Sequence, residues 1–180
     1  SRSIERPIQK SAVRPRGEQI KQDLKQGPVL RFSALGGLEE IGRNMMFFEY
    51  ADEIIIIDAG LQFPEEATPG IDFIIPNVSY LEERKHKIKA LVITHGHYDH
   101  IGAIPYIMAK LGNPPIYATS ITKEIIAKRQ EEFVNAPKLN FEMIKAGETH
   151  QLSKNFKAEF FGVAHNIPEG VGMILDTPVG

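Results

Sequence analysis

The order of the apolar runs predicts an α/β protein. Ala90-Leu91-Val92-Ile93 reads as a buried strand, the apolar spacing after His100 as a helix, Pro115 to Ala118 as another strand and Ser120 to about Phe133 as another helix. The second observation is Ile54 to Ile57, four isoleucines with no polar alternation, which fits a strand covered on both faces. The third is the final third of the chain, where β patterns follow one another.

In chain order, Ser1 to Pro28 holds seven Lys or Arg against three acids, a net of +4, with almost no apolar periodicity. Residues 1–28 therefore read as a basic, disordered arm, either touching RNA phosphates or merely solubilising. Ser1 rather than Met suggests a processed or cloned piece. Residues 29–180 form the folded part.

Val29 to Leu35 reads as a strand, and Met45 to Tyr50 with Glu53 to Ile57 as a hairpin turning at Ala51-Asp52. Gln62 to Asn77, with four Pro or Gly, reads as a long loop of the kind that lines sites. Val78 to Lys85 suggests a short helix and Lys89 to Thr94 the next strand. A helix is expected from about Ile101 to Leu111, with Pro105 tolerated in its first turn and Gly112 stopping it. Thr119 or Ser120 is a natural N-cap for the helix to Phe133, where Glu124 with Lys128 and Lys128 with Glu132 stand as i,i+4 pairs. Strands then follow at Phe141 to Ile144, Thr149 to Leu152, Lys157 to Val163 and Val171 to Asp176.

The formal charge of -2 and pI near 6.3 give no general sign of nucleic-acid binding. With no cysteine, disulfides are excluded, and a metal site must use histidine and carboxylate. No apolar run is long enough to span a membrane and no signal-peptide pattern opens the chain, so a soluble, cytoplasmic protein is expected.

Chemistry concentrates in Thr94-His95-Gly96-His97-Tyr98-Asp99-His100, on the turn from strand to helix. His95 and His97 are two apart, so on an extended backbone both side chains point to one side and can share a cation. Asp99 and His100 follow where the chain turns and can serve a second cation. As ordinary loop residues they would leave Asp99 as a helix cap. His165 ends another strand and supplies a third imidazole. Asp58, at the carboxyl end of the isoleucine strand, either orients the metal-binding turn by hydrogen bonding or caps nearby backbone amides. His86 and His150 lie in polar, turn-like stretches and read as solvated.

T-H-G-H-Y-D-H-I-G-A-I-P-Y (Thr94 to Tyr106) resembles the signature of the metallo-β-lactamase fold, an αββα sandwich holding one or two zinc ions. Four more stretches narrow the resemblance to the ribonuclease J family of RNA-processing and RNA-decay nucleases, in the β-CASP group: L-G-G-L-E-E-I-G-R-N-M (Leu35 to Met45), I-I-I-I-D-A-G-L-Q-F-P-E (Ile54 to Glu65), G-I-D-F-I-I-P-N-V-S-Y-L (Gly70 to Leu81) and V-A-H-N-I-P-E (Val163 to Glu169). The resemblance implies a zinc-dependent 5′-to-3′ exonuclease and endonuclease, homo-oligomeric, acting by two-metal hydroxide attack on RNA phosphodiesters. It gives His95, His97 and His165 to one Zn2+, Asp99 and His100 to the other, and to Asp99 a part in positioning the attacking water.

The family pattern also expects a bridging aspartate and a further histidine. Asp176, inside an apolar strand, does not match, so the resemblance implies an N-terminal part of the sandwich and of the enzyme, inactive or weak alone and with an apolar sheet face exposed. Tyr98 stands where the family usually has an acid, and Asn166, Glu169 and Gly170 replace its usual serine, aspartate and serine. Two other readings of the same residues are a metallo-β-lactamase-fold hydrolase of thioesters or lactones, and a non-catalytic module binding RNA or protein.

Overall fold

The computed structural model describes residues 27–64 and 70–180. Residues 1–26 of the expected basic arm, and 65–69 of the long loop, lie outside the described residues.

Six strands form the first sheet in chain order: β1 (Arg31–Gly36), β2 (Met45–Tyr50), β3 (Glu53–Ile57), β4 (Ile88–Val92), β5 (Ile116–Ala118) and β6 (Phe141–Met143). The first three pair antiparallel and β3 to β6 pair parallel. A second sheet is the antiparallel meander β7 (Thr149–Gln151), β8 (Lys157–Gly162) and β9 (Val171–Asp176). Among the described residues the α-helices are four: α1 (Ser79–Glu82), α2 (Tyr98–Ile101), α3 (Ile104–Ile107) and α4 (Ser120–Gln130). None of the described helices is long and apolar enough to cross a membrane.

Successive residues of a strand point to opposite faces, and the isoleucine run feeds two cores in this way. Ile54 and Ile56 pack with Leu91, Ile93 and the helix residues Ile101, Ile104, Ile107 and Ile126. Ile55 faces the other way, with Ala90, Val92, Phe156, Ala158 and Phe160 of the second sheet's side. Helices, first sheet and second sheet are thus three layers of the expected αββα sandwich. The outer face of the second sheet exposes Phe161 and Ile174, but Lys157 and Glu159 stand among them, so that face is mixed rather than apolar.

The expected helix over 101–111 is two pieces, and the first begins earlier, at Tyr98. Its carbonyls are claimed from outside. Asp99 O accepts from Asn44 N at 3.0 Å, His100 O from Ala59 N at 2.7 Å, and the Ala103 amide turns to Ala59 O at 2.8 Å. Pro105 then has no N–H to offer, so the ladder restarts at Ile104. The helix expected over 78–85 shortens to α1 followed by a 3₁₀ turn, Lys85–Lys87. On α4, which ends at Gln130, the charges pair differently from expectation: Lys123 with Glu124, Lys128 with Glu131 and Arg129 with Glu132. The long loop is pinned at its base by reciprocal amide bonds between Gln62 and Ile74, both 2.8 Å.

Candidate metal centre

Parallel strands bring their carboxyl ends to one edge, and there the chain leaves β3 at Asp58, β4 at Thr94 and β5 at Thr119. Between β8 and β9, residues 163–170 arrive at the same edge, fastened by the Val171 amide donating to Thr94 O at 2.9 Å.

His95, His97 and His165 converge there. Each offers a ligand nitrogen, and the three lie within 4.8 Å of one another. The rings meet edge to face: the centroids of His95 and His97 are 4.8 Å apart, those of His95 and His165 4.6 Å, and those of His97 and His165 4.8 Å. His165 Nε2 comes to 3.2 Å from His97 Nδ1. Two imidazole nitrogens on a tetrahedral zinc, each at about 2.0–2.1 Å, stand about 3.3 Å apart, so this pair is spaced as ligands would be. The donor set fits a borderline cation.

Asp99 and His100 form a second pair beside the three. Asp99 Oδ2 is 3.4 Å from His100 Nε2, and the His100 ring lies 4.0 Å from that of His95. Asp58 sits behind them, buried, and meets both a backbone amide and the His100 ring. Its Oδ1 accepts from the Thr94 amide at 2.9 Å, and its Oδ2 lies 2.7 Å from His100 Nδ1. With Nδ1 so engaged, His100 presents Nε2 toward Asp99.

Two shifts separate the histidines. Burial, with the neighbouring His100 charge added, pushes the His95 pKa down to about 4, leaving a neutral imidazole with a free lone pair at pH 7. His100 is half-buried, which by itself would lower its pKa. The hydrogen bond and charge of Asp58, with the charge of Asp99, outweigh that and raise it. A field that favours a proton on His100 also favours a metal cation at Nε2.

Sequence reasoning gave no role to Asn44, Thr94 or the Glu169 side chain. Asn44 Nδ2 lies 3.1 Å from both Asp99 O and Asp99 Oδ2, and 3.2 Å from His100 Nε2. Thr94 Oγ1 lies 3.0 Å from His95 Nδ1 and reaches both Asp58 oxygens. A short amide just before β2, with no local partner, was the available signal for Asn44. His86 is exposed, as expected, but His150 is half-buried, between Tyr117 and Phe160, with Nε2 3.1 Å from Glu148.

The pocket bounded by Thr94, His95, His100, Val163, His165, Gly170 and Val171 has a volume of about 350 Å³. A second of about 630 Å³ shares Val163, Gly170 and Val171 with it and is lined further by Met143, Ile144 and Ala146. Small ligands and parts of larger ones enter such spaces.

Comparison with known proteins gives the family. Residues 38–163 match the model of the Metallo-beta-lactamase superfamily. Ribonuclease J of Thermus thermophilus is 42% identical over 151 residues, 81% of this chain and 26% of that protein. Ribonuclease J 1 of Streptococcus pyogenes is 46% identical over 147 residues, 82% of this chain and 26% of that protein. The chain thus spans about a quarter of the length of these curated relatives and corresponds to their N-terminal portion. Among solved structures, the Rm3 metallo-beta-lactamase superposes with a TM-score of 0.57 at 18% identity, covering 83% of this chain and 55% of that one, a likeness of fold. The chain belongs to the metallo-beta-lactamase superfamily.

Proposed function

We propose that this chain carries the metal centre of a zinc-dependent ribonuclease of the ribonuclease J kind, which hydrolyses RNA phosphodiesters in RNA processing and decay. The observation that carries the reading is the convergence of His95, His97 and His165, from two separate strand ends, on one point beside the Asp99–His100 pair. The identity to ribonuclease J along four-fifths of the chain supports RNA as the substrate. That substrate goes with the cytoplasmic setting expected from the sequence and with the homo-oligomer that the resemblance implies.

His95, His97 and His165 would hold one Zn2+, and Asp99 with His100 would contribute to a second. Bound there, the cations would lower the pKa of a water toward neutrality and offset charge on the phosphoryl oxygens. The chain's own groups do the rest. Asp58 fixes the tautomer and direction of His100. Asn44 holds the Asp99 carboxylate through Oδ2, and Oδ1, with no partner among the described residues, would orient the attacking water. The overall charge of -2 does not oppose an RNA substrate, because the local field at the centre decides.

Two readouts test the proposal. Zinc uptake measured by elemental analysis separates a metal centre from a binding module that need not retain metal. Cleavage of 5′-monophosphorylated RNA, run beside a thioester and a lactone, separates the substrate classes. Zinc uptake through the three histidines is expected, and any hydrolysis should fall on RNA and disappear with chelation or His97→Ala. Because Asp99 and His100 are only two donors for a second cation, the 180 residues by themselves are expected to cut slowly. Hydrolysis of the thioester or lactone in place of RNA would overturn the substrate assignment.

A further inference from the structure

His165 is held differently from the other two imidazoles. Residues 163–166, 168 and 169 are exposed, with Ile167 half-buried and Gly170 buried, so packing alone does not fix the ring. The base of the loop is closed by the Val163 amide donating to Gly170 O and the Val171 amide to Thr94 O, both 2.9 Å. One contact reaches further. The Ile121 amide, in the first turn of α4, donates to Glu169 Oε2 at 3.0 Å.

Amides in the first turn of a helix have no intrahelical acceptor, and an anionic oxygen there gains from the helix dipole as well. Thr119, at the expected N-cap position, does not supply it: its hydroxyl donates to Thr122 Oγ1 at 3.1 Å. The cap therefore comes from a loop 48 residues away. Glu169 also keeps φ at +59°, a conformation that costs a non-glycine residue energy.

The other arm rests on the same turns of α4. A Cβ added to Gly96, between His95 and His97, would lie 2.7 Å from Ile125 Cδ1, 3.4 Å from Ile167 Cδ1 and 3.6 Å from Thr122 Cα. One helix end is thus the common reference for both strand ends.

We propose that Glu169 is a positioning residue for His165: by capping Ile121 it fixes the exposed histidine loop to the helix on which Gly96 is seated, and so sets the distance between the two arms. This rests on the reading of the three histidines as a metal centre. Groups hydrogen-bonded directly to a ligand are typically worth about 10- to 100-fold in metal affinity, and Glu169, acting through the loop, is expected at the lower end of that range.

The test titrates cobalt(II) into the metal-free full chain and follows the visible d–d band and the dissociation constant. Glu169→Ala is expected to weaken cobalt binding about tenfold or more and to change the band, with Glu169→Asp restoring most of both. Glu169→Gln keeps the shape but gives up the charge facing the helix, and is expected to fall between the parent and alanine. It decides the matter should the alanine variant not fold. Parental affinity and band in whichever of the alanine and glutamine variants folds, while His165→Ala loses binding, would overturn the positioning role and leave the metal centre standing. No cobalt uptake by the parent would overturn the metal centre itself, and with it this proposal.

Discussion

The Asp58 carboxylate meets donors from the strand and the helix of the neighbouring unit at once, the Thr94 amide and hydroxyl and the His100 ring. Asp58→Asn keeps the size but loses one acceptor oxygen and the charge, so His100 is no longer held in one tautomer. Zinc affinity is expected to drop about 10- to 100-fold, as calorimetric titration would show. Glycine makes a separate demand two residues on. A Cβ at Gly60 would overlap the Asp99 carbonyl, a backbone atom that has nowhere to go because Asn44 holds it. Gly60→Ala is expected to cost about 3 kcal/mol in urea unfolding, against little for Gly162→Ala, whose Cβ would meet only Ala146 Cβ at 3.7 Å. His95, His97 and His165 were legible from spacing and strand ends. Asn44 and Glu169 were not, because each acts on a partner about fifty residues away that no local pattern names.

Elements show the same division. The alternation of β8 and the unbroken isoleucines of β3 carry their burial in the sequence itself, and both form as read. The break between α2 and α3 does not, since it depends on the amides of Asn44, Ala59 and Leu61 taking up the carbonyls of Asp99, His100 and Tyr98. A comparable long-range tie joins β3 to the turn before β8. Glu53 accepts from Ser153 Oγ at 2.7 Å, the Asn155 amide at 2.9 Å and Asn155 Nδ2 at 3.0 Å. Partial burial would raise its pKa, but those hydrogen bonds outweigh it and hold the carboxyl below the ordinary glutamate value. A lowered folded pKa stabilises the fold above the unfolded value, and this contribution is lost as pH falls through the folded one. The parent should therefore melt above Glu53→Gln at pH 7, with the gap closing from about pH 4.5 downward. A gap unchanged down to pH 3 would remove the carboxylate from the account.

At the scale of the whole molecule, the first sheet is a wall between two cores, and the site stands on its upper edge, where both sides contribute. The helix side supplies His97, Asp99 and His100, and the second sheet supplies His165. Stability of the interface between the sheets should therefore govern the site. Ile55, fully buried on the second-sheet side, tests this: Ile55→Ala is expected to cost about 2–5 kcal/mol and to loosen the His165 arm relative to His95 and His97. The layered α/β order was readable from the run of apolar segments. That Ile174 of β9 lies beside Glu159 of β8 was not, since only the β8–β9 register fixes that pair.

The most direct measurement is a calorimetric titration of zinc into the metal-free chain, run on the parent, His97→Ala and His165→Ala. The proposed centre predicts one tight site in the parent and its loss in both variants, because both strand ends bring imidazoles to one point. A parent that takes up no zinc, or a His165→Ala variant that binds it with the parent's affinity and stoichiometry, would contradict the account.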